Sequence, residues 1–455
     1  MLIVATATSD AAAPKPQLLE YGRDAGLCSL AGNAAGDRVV VAPFSFRPEG
    51  PRLDVFTAAP GAPFGSASRI NGATGPIFNT VAALGPDATA VVVGKPAARA
   101  GNIGRGVVAL VRPPGGVFSG PQTLTAADAD DPSVAFDRQG DAMAIWVRHR
   151  SVKSEEDYVE QSTRPNGGDW SAPVVISHEP HSAFTPQVAF DAAGGAVAVW
   201  TRNGVRNKVV AAVRAPGGAF GRPQVISDAR FHSDEASLSV NSSGQAAVVW
   251  VLNTKNDAHF RVGGAFRAPG RAFGPPRFFT PARADATGAS IALDDQGRAL
   301  LTWRISNRKA PGGVSAFWIE VARRPPGGPI GRPVRASGAR GEIGELAIAP
   351  SGRGRIAWIY HGRRGDLVQA RTATTDGGLG PVTQISPRGS LDNLDSTIDA
   401  SGAVTFVWTR LGKRGERLET TTTPPRGSPP ARRTGEAPPG SRSPRRRAGR
   451  SRLRR

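Results

Sequence analysis

Six histidines and four short acidic clusters are the residues of this chain best suited to moving protons or holding cations. His178-Glu-Pro-His181 sets two imidazoles three residues apart, but the proline forbids the helical turn on which metallohydrolase histidine pairs are mounted. No metal is assigned to it. Asp128, Asp130 and Asp131 lack the glycine and distal glutamate of a helix–loop–helix calcium loop, so a single loop calcium is the one cofactor left open and none is otherwise expected. The other clusters are Asp234 and Glu235, Asp392 and Asp395, and Glu155, Glu156 and Asp157, which with Glu160 surround Tyr158. Cys28, the single cysteine, excludes an intramolecular disulfide and a cysteine zinc site. Serine nucleophile elbows and phosphate loops are absent.

The scaffold that must carry these residues is a repeat. Pro186-Gln-Val-Ala-Phe-Asp-Ala-Ala-Gly-Gly-Ala-Val-Ala-Val-Trp200 aligns with Pro132-Ser-Val-Ala-Phe-Asp-Arg-Gln-Gly-Asp-Ala-Met-Ala-Ile-Trp146, each reading strand, tight turn, strand. Equivalent units end at Trp250, Trp303, Trp358 and Trp408, and two degenerate units carry Ala42 and Gly94 in place of the tryptophan, at intervals of 50 to 55 residues. A second half follows most units, as in Arg214-Ala-Pro-Gly-Gly-Ala-Phe220, and also reads strand, glycine turn, strand. Four short strands in about 50 residues make one blade of a β-propeller. Consecutive apolar residues, as in Ala196-Val-Ala-Val-Trp200, suit strands covered on both faces, and place the tryptophans between blades rather than on a sugar-stacking surface. The predicted fold is therefore all-β, a propeller of eight four-stranded blades over residues 1–423, with seven blades and a surplus half unit as the alternative count.

Lys15-Pro-Gln-Leu-Leu19 resembles Arg222-Pro-Gln-Val-Ile226, and Thr6-Ala-Thr-Ser-Asp10 resembles Thr372-Ala-Thr-Thr-Asp376. Residues 2–20 thus read as a second half without a first, predicting that N-terminal strands complete the blade of Trp408 and remove the open edges. The same reading makes Leu2-Ile-Val-Ala a strand rather than a secretory signal, because a basic n-region is missing. No apolar run is long enough for a membrane helix. Half of the net charge of +20 sits in residues 424–455, where 11 arginines face the single Glu436. This Pro- and Arg-rich tail is expected to be disordered. It reads as a solvated or out-of-frame segment, with contact to a polyanion through counterion release as the functional alternative.

In a four-stranded meander, the short Asp-x-x-Gly and Pro-Gly-Gly turns share one end, and the loops of variable length share the other. Function concentrates on variable loops, and all six histidines fall there. His178, His181, His232, Asp130, Asp131 and Asp234 lie on stretches leading into innermost strands and are the candidate ligand-binding residues. No catalytic residue is assigned.

Thr163-Arg-Pro-Asn-Gly-Gly-Asp-Trp170 resembles the Asp-box of the bacterial neuraminidase repeat: Thr163, Gly167 and Trp170 match, and Pro165 replaces the defining aspartate. The resemblance implies a third-to-fourth strand turn of a propeller blade, opposite that family's active site, so no catalytic residue is carried over. The family's hydrolases are six-bladed and need an arginine cluster and a tyrosine–glutamate pair, whereas this chain has only Tyr21, Tyr158 and Tyr360. The expected function is a monomeric, non-catalytic binding module, extracellular or at the cell surface, recognising glycan, cell-wall polymer or protein on its loop face. A sialidase-like or other glycan-processing hydrolase or lyase is the alternative.

Overall fold

A computed structural model describes residues 15–25, 28–46, 52–70, 77–97, 103–151, 154–177, 182–253, 259–307, 316–413 and 415–424. Their strands form eight four-stranded antiparallel blades in a ring, a β-propeller, with no helix among the described residues. The innermost strands run Ser29–Gly32, Ile77–Leu84, Ala129–Phe136, Ala183–Phe190, His232–Val240, Ala286–Leu293, Gly341–Ile348 and Ser390–Ile398, defining blades 1 to 8. Each touches the innermost strand of its neighbours, which closes a wall around the axis.

The second strands explain the consecutive apolar runs. In Ala196–Arg202, Ala196, Ala198 and Trp200 pack toward blade 3, while Val197 and Val199 pack toward blade 5. Side chains alternate across a strand, so a strand covered on both sides must be apolar at every position. Eight hydrophobic clusters result, one at each blade interface. All six repeat tryptophans are buried in them, each facing the preceding blade. The indole N–H of Trp146, Trp303 and Trp408 donates to Glu160, Glu320 and Glu419, the residues directly opposite on the third strand, and that of Trp358 donates to Gln369. Opposite Trp250 stands Gly263, and the Trp250 N–H has no partner.

The turn between the third and fourth strands drives one further side chain into the interface with the preceding blade. These are Phe64, Phe118, Trp170 and Phe220 in blades 1 to 4. Phe273, Ile330 and Leu379 do the same in blades 5 to 7. The Asp-box-like segment is this turn of blade 3. The Asp-x-x-Gly turns are held by their own aspartates: Asp191 Oδ1 accepts the N–H of Ala193 and of Gly195 (2.9 and 2.8 Å), and Gly194 takes the left-handed φ of 85° that the turn requires. Adjacent turns are zipped together, as by Ala192 N–H to Ser242 O and Ala400 N–H to Ala34 O.

Closure follows the expected principle with a different strand count. Among the described residues one N-terminal strand, Gln17–Ala25, joins the blade of Trp408, as its outermost strand against Gly415–Thr423. The third strand comes from the C-terminal side, because a tight hairpin around Gly412 and Gly415 brings residues 415–423 back onto Val404–Gly412. Residues 2–14 and the tail beyond Pro424 lie outside the described residues. The joint copies an interior one. Gln17 donates to Phe64 O and accepts from Phe64 N–H (2.7 and 3.0 Å), as Gln224 does with Phe273 (3.0 and 3.1 Å).

Two stability measurements follow. Trp250→Ala should cost about 3–5 kcal/mol in denaturant unfolding, the usual loss for a large buried aromatic. Gln17→Ala and Gln224→Ala should each cost about 1–2 kcal/mol through two lost hydrogen bonds; a much larger loss for Gln17 alone would mean that the closing joint is built differently.

Candidate functional site

An innermost strand is an edge strand, and its free N–H groups need acceptors. The ring supplies them from side chains of the preceding blade. Ala82 N–H donates to Ser29 Oγ, Leu238 N–H to Gln187 Oε1, Ile291 N–H to Ser237 Oγ and Leu30 N–H to Asp395 Oδ2 (3.3, 3.0, 3.4 and 2.9 Å). The acceptors of this stitch all occupy one column of the repeat, where Ser133, Ser290 and Val81 also stand. Two acidic residues occupy the column in neighbouring blades, Glu345 and Asp395.

At Glu345 the stitch is broken. The N–H it would bind, that of Ser396, donates instead to Asp395 Oδ1 (2.7 Å), and Glu345 makes no hydrogen bond or ion pair with another described residue. Both carboxyls lie deep in the ring with part of their surface open, next to Leu346 and Ser396 of the axial cavity wall. Burial, reinforced by the Asp395 charge, pushes the Glu345 carboxyl up to about 8; burial pushes Asp395 to about 6 against the pull of the Leu30 and Ser396 N–H groups. Around pH 7 the pair therefore holds one neutral acid and one carboxylate, the division of roles required for proton transfer.

The loop end holds a second network. His149 Nδ1 contacts Asp157 Oδ1 (2.8 Å), His149 Nε2 contacts Asp130 Oδ2 (3.3 Å), and Asp130 Oδ1 accepts from Lys95 Nζ of blade 2 (2.6 Å). Burial lowers the His149 pKa, but Asp157 and Asp130 outweigh it and the net shift is upward. Asp157 Oδ2 also accepts the Ala183 N–H of blade 4 (3.1 Å). Blade 7 repeats the device: His361 Nδ1 meets Asp366 Oδ1 (3.0 Å), and Asp366 Oδ2 accepts Leu391 N–H (3.2 Å).

The candidate residues divide between these blades. Asp130 belongs to the His149 network. Asp131 sits on a β-bulge at φ 52° and accepts Thr185 N–H through Oδ2 (3.0 Å). Comparable left-handed bulge residues, Asn79, Thr185, Glu235 and Asn393, recur on other innermost strands and ring the loop-end mouth. His232 and Asp234 form a separate group in which Asn207 donates through N–H to His232 Nδ1 and through Nδ2 to Asp234 Oδ1 (3.3 and 2.8 Å). His178 and His181 lie outside the described residues. Glu345 and His149 were not among the candidates; the signal for Glu345 was its place, with Asp395, in a column otherwise made of serine, glutamine and valine.

The axial cavity, about 750 Å³, opens between the Asp-x-x-Gly turns, with all eight blades contributing and an apolar collar that includes Phe136, Phe190, Leu293 and Ile348. The concave surface therefore lies at the turn end, and the titratable network at the loop end. The sequence matches no family model and no curated protein. Among solved structures it is similar to a family PL25 polysaccharide lyase, an ulvan lyase, at 10% identity over 75% of this chain and 91% of the other, with a TM-score of 0.49. A GH93 α-L-arabinofuranosidase of Fusarium graminearum matches at 9% identity, 65% and 93% coverage and a TM-score of 0.41. A Hadza microbial sialidase matches at 11% identity, 62% and 67% coverage and a TM-score of 0.38. Likeness of this order assigns no activity to the chain.

His149 offers a pH test. Its folded pKa is raised, so its charged pairs stabilise the protein fully below the unfolded value near 6.5 and lose that contribution as pH rises through the folded value. The thermal midpoint of His149→Gln should fall furthest below the parent in mild acid, and the gap should narrow above neutrality.

Proposed function

We propose that the protein is a glycan-processing enzyme in which Glu345 and Asp395 are the proton-transferring pair. The observation that carries this reading is the paired carboxyls: Glu345 stands as a neutral acid beside an ionisable carboxylate, Asp395, on adjacent innermost strands. A glycosidic oxygen leaves as an alcohol when an acid protonates it, while a second carboxylate acts as base toward water. Glu345 fits the first role and Asp395 the second. The axial cavity begins one residue further along the same strands, at Leu346 and Ser396.

The binding-module reading keeps one specific support. The His149–Asp157 pair has a structural twin in His361–Asp366, each carboxylate also holding the N–H of the next blade, so the loop-end histidines serve as struts between blades. Under that reading the loop face presents hydroxyls and carboxylates to a ligand without chemistry.

Turnover on a panel of neutral, uronate-containing and sialylated polysaccharides separates the two. Glu345→Gln and Asp395→Asn are each expected to lower kcat/KM at least about a hundredfold while retaining the parent's thermal midpoint at acid pH. The parent's pH–rate curve should be bell-shaped, with limbs near about 6 and about 8. Glycan binding without turnover, unaffected by either substitution, would instead establish the binding module.

A further inference from the structure

When the innermost strands are aligned on the residues they pair with in the second strands, the position one place beyond the stitch column is Leu, Ala, Val or Ile in seven blades, from Leu30 in blade 1 to Leu346 in blade 7. Blade 8 has Ser396 there, opposite Phe406. Side chains alternate along a strand, which fixes where this hydroxyl points. Leu394 and Ile398, two residues to either side of Ser396, pack in the cluster between blades 7 and 8, so Ser396 faces blade 7. Leu346 and Ile348 pack in the cluster between blades 6 and 7, so Glu345, one residue before Leu346, faces the other way, toward blade 8. The carboxyl of Glu345 and the hydroxyl of Ser396 therefore enter one interface from opposite sides, and Ser396 also borders the axial cavity.

Packing accounts for the size of this residue but not for its polarity. Phe406 stands where the other second strands carry Val, Ala, Leu or Ile, and a bulky partner asks for a small residue opposite. Alanine meets that demand without a polar atom, and it occupies the same position in blade 2 as Ala82. A hydroxyl in an otherwise apolar column costs folding free energy unless it is given a hydrogen-bond partner. This one stands across from the acid assigned to proton donation, in the one interface of the ring where that acid is found.

We infer that Ser396 is a substrate-positioning residue: its hydroxyl hydrogen-bonds a sugar hydroxyl next to the glycosidic oxygen that Glu345 protonates, and so holds the glycan between blades 7 and 8 where the axial cavity begins. The inference rests on the assignment of Glu345 and Asp395 as the proton-transferring pair and adds a ligand contact to it. A hydroxyl both donates and accepts, so Ser396 can meet a sugar hydroxyl in either sense, and being uncharged it leaves the proton transfer to the carboxyls.

Initial rates of reducing-end release are measured for the full-length parent and for Ser396→Ala on the neutral, uronate-containing and sialylated polysaccharides. On the polysaccharide that the parent cleaves, Ser396→Ala should raise KM about tenfold, the effect of leaving one buried sugar hydroxyl unpaired. Its kcat should stay within about twofold of the parent's, as expected for a contact made equally in the ground and transition states. Both limbs of the pH–rate curve and the thermal midpoint should stay in place. Gln187→Ala is the structural counterpart: it removes the acceptor of the Leu238 N–H between blades 4 and 5 (3.0 Å), so its thermal midpoint should fall while KM holds. Turnover that depends on Glu345 and Asp395 but keeps the parent KM in Ser396→Ala would overturn the positioning role and leave the pair standing. A midpoint that falls in Ser396→Ala as far as in Gln187→Ala, or a KM that rises equally in both, would overturn it in favour of a packing role. Failure of the parent to cleave any of the polysaccharides would overturn the pair and the inference together.

Discussion

Each blade of this ring depends on having its second strand covered on both faces. A run such as Ala196-Val-Ala-Val-Trp200 has no polar side to turn toward water, so a blade standing alone would expose one apolar face whichever way it lay. Stacking removes the problem for every blade except the first and last in an open array, and only a closed ring removes it for those as well. The tryptophans sharpen the requirement. Each adds a bulky ring to the interface and an N–H that has to be met, and in four blades the third strand supplies Glu or Gln in the opposing register position.

A second constraint acts at the axis. Burying eight edge strands around a common wall leaves rows of backbone donors with no strand to pair with, and side chains of one repeat column meet them across the blade boundary. Where a repeat protein assigns a column to such a task, departures from the column are informative. Glu345 and Asp395 both depart in charge; Asp395 keeps the task, and each acquires a carboxyl neighbour. Conversely, the His149 network loses some of its apparent singularity once His361 and Asp366 are seen doing the same work in blade 7.

Much of the fold was legible because its determinants are local. The Asp-x-x-Gly turns are specified by one carboxylate and one left-handed glycine, and the blade count by tryptophans at near-constant spacing. The closing strand was legible because Gln17 repeats the role of Gln224. The number of N-terminal strands was not, because residues 2–10 and 415–423 both carry third-strand sequence, and only the hairpin at Gly412 decides which one occupies the slot. The candidate site was less legible still. Scanning for clusters of histidine and aspartate finds loops, where polar residues gather for solvation. A single glutamate between Gly344 and Leu346 becomes conspicuous only when the innermost strands are aligned and its neighbours' hydrogen bonds are known.

The joint between Gln17 and Phe64, together with the pairing of Gln17 with Thr420, also sets a timetable for synthesis. The outermost strand of blade 8 leaves the ribosome before every other strand of the ring, and its main partner after every other. At roughly 5–20 residues per second, the interval is on the order of tens of seconds, during which Gln17–Ala25 lacks its Gly415–Thr423 partner while blade after blade stacks behind it. A nascent ring of this design is thus an open arc with one adhesive edge until Gly415–Thr423 emerges, and neighbouring chains on the same messenger would compete with that strand for the edge.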